Sequence, residues 1–126
     1  MNKPLTAVVL FAHGSRDPLW RAPIDAVARE MQQQAPAVSV RCAFLELMTP
    51  GLPEAVDELV AQGHPTIRIV PMFLGVGRHA REDLPALVEA LRQRHPGLLL
   101  ELQPAIGEQP EMTRCMARMA LSTPNS

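Results

Sequence analysis

Four strand-like runs, each followed by a run with helical periodicity, predict one α/β domain: a four-stranded parallel sheet with helices on both faces. Three observations carry this. The apolar pattern switches again and again from continuous or alternating runs to i, i+3, i+4, i+7 spacing. Most of the 13 prolines punctuate the joints between segments. A chain of 126 residues, 47% hydrophobic and 20% charged, suffices for one real core and shows no linker or repeat.

The elements follow in order. Leu5–Ala12 is a near-continuous apolar run, as expected of a strand covered on both faces. Ile24, Val27, Ala28 and Met31 mark one face of a helix ending near Pro36. Val38, Val40, Cys42 and Phe44 alternate as a second strand. After Thr49-Pro50-Gly51 a helix buries Leu52, Val56, Leu59 and Val60, and Gly63 stops it. "TIRIVPMF" is the third strand, and Leu84, Leu87, Val88 and Leu91 mark the third helix, which closes on basic "RQRHPG". "LLLELQP" is the fourth strand. Met112, Cys115, Met116 and Met119 mark a fourth helix, whose methionines read as core filler or dimer packing. The domain is expected over residues 1–121, with 122–126 a loose tail.

Composition removes several function classes. Twelve basic against 13 acidic residues leave a net charge of −1, with no electrostatic case for nucleic acid or an anionic membrane. Three Phe, one Trp and no Tyr offer no base-stacking surface. Cys42 and Cys115 are too few for a disulfide framework and suit a reducing cytoplasm. "MNKPLTAVVLFA" imitates a secretory signal but lacks a small-residue cleavage site, so it reads as a strand. No run reaches the length of a membrane span.

In a parallel sheet all strand-exit loops lie at the end where ligands bind. The first carries His13, Gly14, Ser15, Arg16 and Asp17. The second carries Glu46, and the third is expected to hold Gly75, Gly77, Arg78, His79, Arg81 and Asp83 as a loop. His64 and His95 follow helices and belong to the opposite end, as surface or capping residues. With strand order 2-1-3-4, as in flavodoxin-like folds, His13 and His79 leave neighbouring strands whose helices take opposite faces. A crevice opens at that point.

Two imidazoles and a carboxylate suit a divalent transition metal and are bases near neutral pH. Arg16, Arg78 and Arg81 would attract an anionic, polycarboxylate ligand, or else pair with Asp17, Glu82 and Asp83. "FAHGSRD", "FLEL..P.L.EAV..L...G" and "PMFLGVGRHAREDLP", in that order and at these spacings, resemble the short-form CbiX and SirB type sirohydrochlorin chelatases, of the class II chelatase group. The resemblance runs from about Val8 to Leu91.

That resemblance implies a chelatase-like fold and an ATP-independent enzyme, a lyase. Its reaction would insert Co²⁺, Fe²⁺ or Ni²⁺ into sirohydrochlorin in cobalamin or sirohaem biosynthesis. His13 and His79 match the family's histidines and Glu46 its acidic position after the second strand. The histidines would hold the metal; they or Glu46 would accept the two pyrrole protons. Ser15, Arg16, Gly77, Arg78 and Arg81 would face a substrate bearing eight carboxylates. The metal is a substrate and no tightly bound cofactor is expected. Nickel-inserting relatives often carry a histidine-rich segment and this chain has none, which leaves cobalt and iron, with cobalt favoured on its frequency in the family. The family's long forms hold two such domains face to face, so a homodimer is expected here.

Other readings explain less. "GVGRHA" imitates a dinucleotide fingerprint but follows the wrong strand and leaves His13 and Arg16 without a role. "AHGSR" imitates a histidine phosphatase, yet Ala12 stands where the phosphate-clamping arginine is needed. A metal- or tetrapyrrole-carrying module without catalysis is the remaining alternative.

Overall fold

Six consecutive apolar residues form the central strand because both of its faces are covered. In the computed structural model, which describes residues 4–123, β1 (Ala7–Ala12) is buried along its whole length. Around it the chain runs α1 (Ala22–Gln34), β2 (Ser39–Phe44), α2 (Leu52–Ala61), β3 (Thr66–Pro71), α3 (Arg78–Arg94), β4 (Leu99–Leu102) and α4 (Pro110–Leu121). The four strands make one parallel sheet in the order β2-β1-β3-β4, as the sequence predicts.

The two faces of the sheet use alternate residues of the same strand. Val8 and Leu10, with Val40, meet Ile24, Ala28 and Met31 of α1. Ala7, Val9 and Phe11 point to the other face, where α2 contributes Leu52, Val56 and Leu59 and α3 contributes Leu84, Val88 and Leu91. Each fully buried leucine or isoleucine there contributes about 2 kcal/mol. Helices α1 and α3, which follow the neighbouring strands β1 and β3, thus pack on opposite faces of the sheet. That reversal opens a crevice beyond the carboxyl ends of β1 and β3.

Several expectations change. α3 begins at Arg78, so Arg78, His79, Arg81 and Asp83 lie on a helix, not in a loop. The buried positions that mark the helix start only at Leu84, because its first turn is largely exposed and lines the cleft. Pro85 sits inside α3 rather than at a joint. Leu5 falls outside β1, and Met72 and Phe73 outside β3, although the Met72 N–H still donates to the Phe11 carbonyl at 2.7 Å. A 3₁₀ turn over Pro18–Arg21 precedes α1, held by Asp17, which accepts from the Leu19 N–H at 2.9 Å. A second 3₁₀ turn, Ile106–Glu108, leads into α4.

Gly63 stops α2 as expected. Its φ of +92° closes the helix while the His64 N–H bonds Leu59 and its own N–H bonds Val60. α4 is amphipathic but buries no residue completely: Met112, Cys115 and Met116 are half-buried and Met119 is exposed. Its methionines are therefore not core filler. Of the expected tail, residues 124–126 lie outside the described part. No helix among the described residues is long and apolar enough to cross a membrane.

Candidate functional site

The first two loops at the crevice are laid down by extending the β1–β2 ladder past the strands. The Leu45 N–H donates to Ala12 at 2.9 Å and the Glu46 N–H to His13 at 3.1 Å. Glu46 is thereby brought beside His13, with Oε1 3.6 Å from Nε2 and both side chains more than half exposed. The approach requires Gly14. Its φ is +101°, and a Cβ there would be driven into the Glu46 carbonyl oxygen. Leu47 follows in a left-handed conformation, φ 67°, which costs a non-glycine residue about 1 kcal/mol.

The third wall is the start of α3. Gly77 caps it in an extended conformation without a side-chain cap. Between this wall and β1 lies a cleft of about 430 Å³, the size of a small-molecule site. Phe11, Leu45, Phe73, Val76, Leu84 and Leu87 make it largely apolar, and His13, Arg78, His79 and Asp83 supply its charged and titratable groups. Phe73 holds an edge-to-face contact with the His13 ring at 6.2 Å and with Phe11 at 6.0 Å. His13 and His79, from distant parts of the chain, thus share one cavity.

The other residues singled out from the sequence divide. Gly77 and Arg78 line the cleft, and Arg78 makes a long ion pair with Glu82 at 3.4 Å. Glu46 does not line it, although its carboxylate lies beside His13. Ser15, Arg16 and Arg81 do not line it. The Ser15 hydroxyl accepts from the Asp17 N–H at 3.0 Å, so it helps fold the loop. Arg16 and Arg81 are exposed, with no ion pair among the described residues. No three His, Cys, Asp or Glu side chains among the described residues converge as a metal-binding group.

Sequence reasoning missed the apolar walls. Phe11, Leu84 and Leu87 carry the same periodic signal whether they fill a core or face a cavity. Asp83 was legible only as a loop charge until the helix was known to begin at Arg78. His95, at the far end, bonds Asp57 at 2.8 Å while Arg94 pairs with the same carboxylate at 2.7 Å. It ties α3 to α2, which is the structural role expected of it.

Comparison with known proteins gives the family. The chain matches the CbiX family over residues 7–122. It is 36% identical over 87 residues to the sirohydrochlorin cobaltochelatase of Methanothermobacter thermautotrophicus, covering 69% of this chain and 60% of that protein. The chain therefore spans about three fifths of that curated relative's length. A CbiX protein from Marinobacter aquaeolei VT8 superposes with a TM-score of 0.78 and 30% identity, covering 91% of this chain and 93% of the other. The sirohydrochlorin chelatase SirB from Bacillus subtilis subspecies spizizenii, solved with cobalt, gives 0.75 and 25%, covering 93% of this chain but 50% of its own.

Proposed function

Since the chain belongs to the CbiX family, we propose that it is a sirohydrochlorin chelatase, an enzyme that inserts a divalent metal, with Co²⁺ favoured, into the macrocycle. The observation that carries this reading is the shared cleft: two imidazoles on facing elements, set among apolar walls. The flat apolar face of a tetrapyrrole fits Phe11, Phe73, Leu84 and Leu87, while its carboxylates reach Arg78 at the rim and Arg16 and Arg81 outside. The relatives' names support the substrate and the metal.

The chemistry balances without ATP. Four ring nitrogens replace the metal's water and protein ligands, and two N–H protons leave. His13 and His79 hold the metal next to the ring, then stand free as bases once it has moved. Glu46, 3.6 Å from His13, takes up or stabilises the proton that His13 accepts. The metal is substrate, and no resident cofactor is required.

A cleft of about 430 Å³ encloses only part of a polycarboxylate macrocycle. The remaining face falls to a second copy of the chain, so the working form is a homodimer. SirB, of whose length this chain covers 50%, supports that arithmetic. Two free thiols, Cys42 and Cys115, fit a cytoplasmic setting.

The test is anaerobic insertion of Co²⁺, Fe²⁺ and Ni²⁺ into sirohydrochlorin, followed by absorbance over many turnovers. His13→Ala and His79→Ala are each expected to lower kcat/KM at least about 100-fold. Stoichiometric binding of metal or tetrapyrrole without turnover would overturn the enzyme reading in favour of a carrier.

A further inference from the structure

The cleft holds a group to which none of the chemistry above assigns a task. Asp83 is the sole carboxylate among the described residues lining it, and it makes no ion pair or side-chain hydrogen bond with any of them. It stands four residues after His79 on α3, the spacing that puts two side chains on one helix face about 6 Å apart at Cβ. Both side chains line the same cavity. We propose that His79 and Asp83 together form a two-donor capture site for a divalent transition-metal ion on the α3 wall of the cleft. The proposal deepens the chelatase reading, on which its catalytic consequence rests.

Charge explains why a carboxylate is needed there. His79 lies in the first turn of α3, where the unpaired N–H groups carry partial positive charge. An imidazole in that field is a poor trap for a dication. Asp83 supplies the compensating charge. It lies beyond the first turn, too far along the helix for a charge–dipole role of its own. Glu82 is not a substitute, because it pairs with Arg78 and does not line the cleft.

Donor number argues the same way. A closed set of four ligands keeps its metal. Two donors, imidazole and carboxylate, suit a borderline dication and leave most of its coordination sphere to water. An ion held so loosely can pass to the ring nitrogens. The cleft then has two imidazole–carboxylate pairs, His13 with Glu46 from the strand ends and His79 with Asp83 from the helix.

The experiment is a titration of the protein with Co²⁺ alone, under anaerobic conditions and without tetrapyrrole, read by visible absorption and calorimetry. Asp83→Asn is expected to weaken Co²⁺ binding about tenfold or more, and Asp83→Glu to restore part of it. In turnover, Asp83→Asn should raise KM for Co²⁺ and should not raise KM for sirohydrochlorin, since it removes a negative charge from the wall facing a polycarboxylate. Wild-type Co²⁺ affinity in Asp83→Asn, with or without a fall in Tm, would overturn the site and leave Asp83 a surface charge. So would a wild-type protein that binds no Co²⁺. If Co²⁺ binding depends on Asp83 but the wild-type protein itself does not turn over, the capture site stands and the chelatase reading falls.

Discussion

Gly14 and Gly63 both have positive φ, yet they do different work. A Cβ at Gly63 meets nothing within 4 Å, so Gly63→Ala pays only for the backbone conformation, about 1 kcal/mol. At Gly14 the same change adds a collision with the Glu46 carbonyl, and no flexible side chain is there to yield. Gly14→Ala is expected to cost about 3 kcal/mol or more and to separate Glu46 from His13. Urea unfolding checks the ranking, and a residual folded fraction of Gly14→Ala should show impaired metal insertion where Gly63→Ala does not. Similar costs for the two would mean that the loops carrying His13 and Glu46 slide apart freely.

At the scale of elements, the join between the first 3₁₀ turn, α1 and β2 is electrostatic as well as apolar. Arg21 donates two hydrogen bonds to Asp25 through Nε, at 3.0 and 3.3 Å, and one through Nη2 at 3.1 Å. Its guanidinium also lies 4.6 Å from the centre of the Phe44 ring. The Arg21 hydrogen bonds hold the Asp25 carboxyl below its ordinary range. A folded-state pKa that is depressed gives stability above the unfolded value and loses it as pH falls through the folded one. Asp25→Asn should therefore destabilise the protein at pH 7, by no more than about 1 kcal/mol at this one-third-exposed pair. The deficit should vanish in acid, below the usual carboxylate range. Tm measured against pH for both proteins tests this; a deficit that persists at pH 2 would assign the effect to packing. Close by, burial raises the Cys42 thiol above its ordinary pKa, and it donates to Asp25 at 3.7 Å. It is half-buried and packs against the cluster beneath α1, at the edge of the core rather than inside it as its alternating strand suggested.

For the whole molecule, much of the exposed apolar surface lies on the segments that follow the strands: Leu19, Trp20, Leu45, Leu47 and Leu74, of which Leu45 lines the cleft, while α4 ends in exposed Met119 and Leu121. A dimer closing over the cleft would cover the first set. Sedimentation equilibrium should therefore give twice the chain mass, and sirohydrochlorin should tighten the association by mass action, since it would touch both copies. A monomer at all concentrations, with full activity, would show that one cleft suffices.

Apolar continuity at Leu5–Ala12, alternation at Val38–Phe44 and helical spacing elsewhere are local signals, and they were enough for four β-α units. The order 2-1-3-4 came from likeness to flavodoxin-like folds, and the strand pairing bears it out. His13 and Glu46 stood out as polar groups just past strand ends, and His79 as an imidazole after the third strand, which the structure places on α3. Tertiary structure alone decided which of them share a cavity. Val8 and Phe11 read alike in the sequence, yet Val8 is sealed beneath α1 and Phe11 forms a wall of the cleft. Ser15 and Arg16 adjoin His13 in the chain but turn away from the cleft, whereas Asp83 enters it once α3 starts at Arg78. Burial and convergence depend on which elements stop short of covering one another, and that is a property of the packed fold, not of any stretch of its sequence.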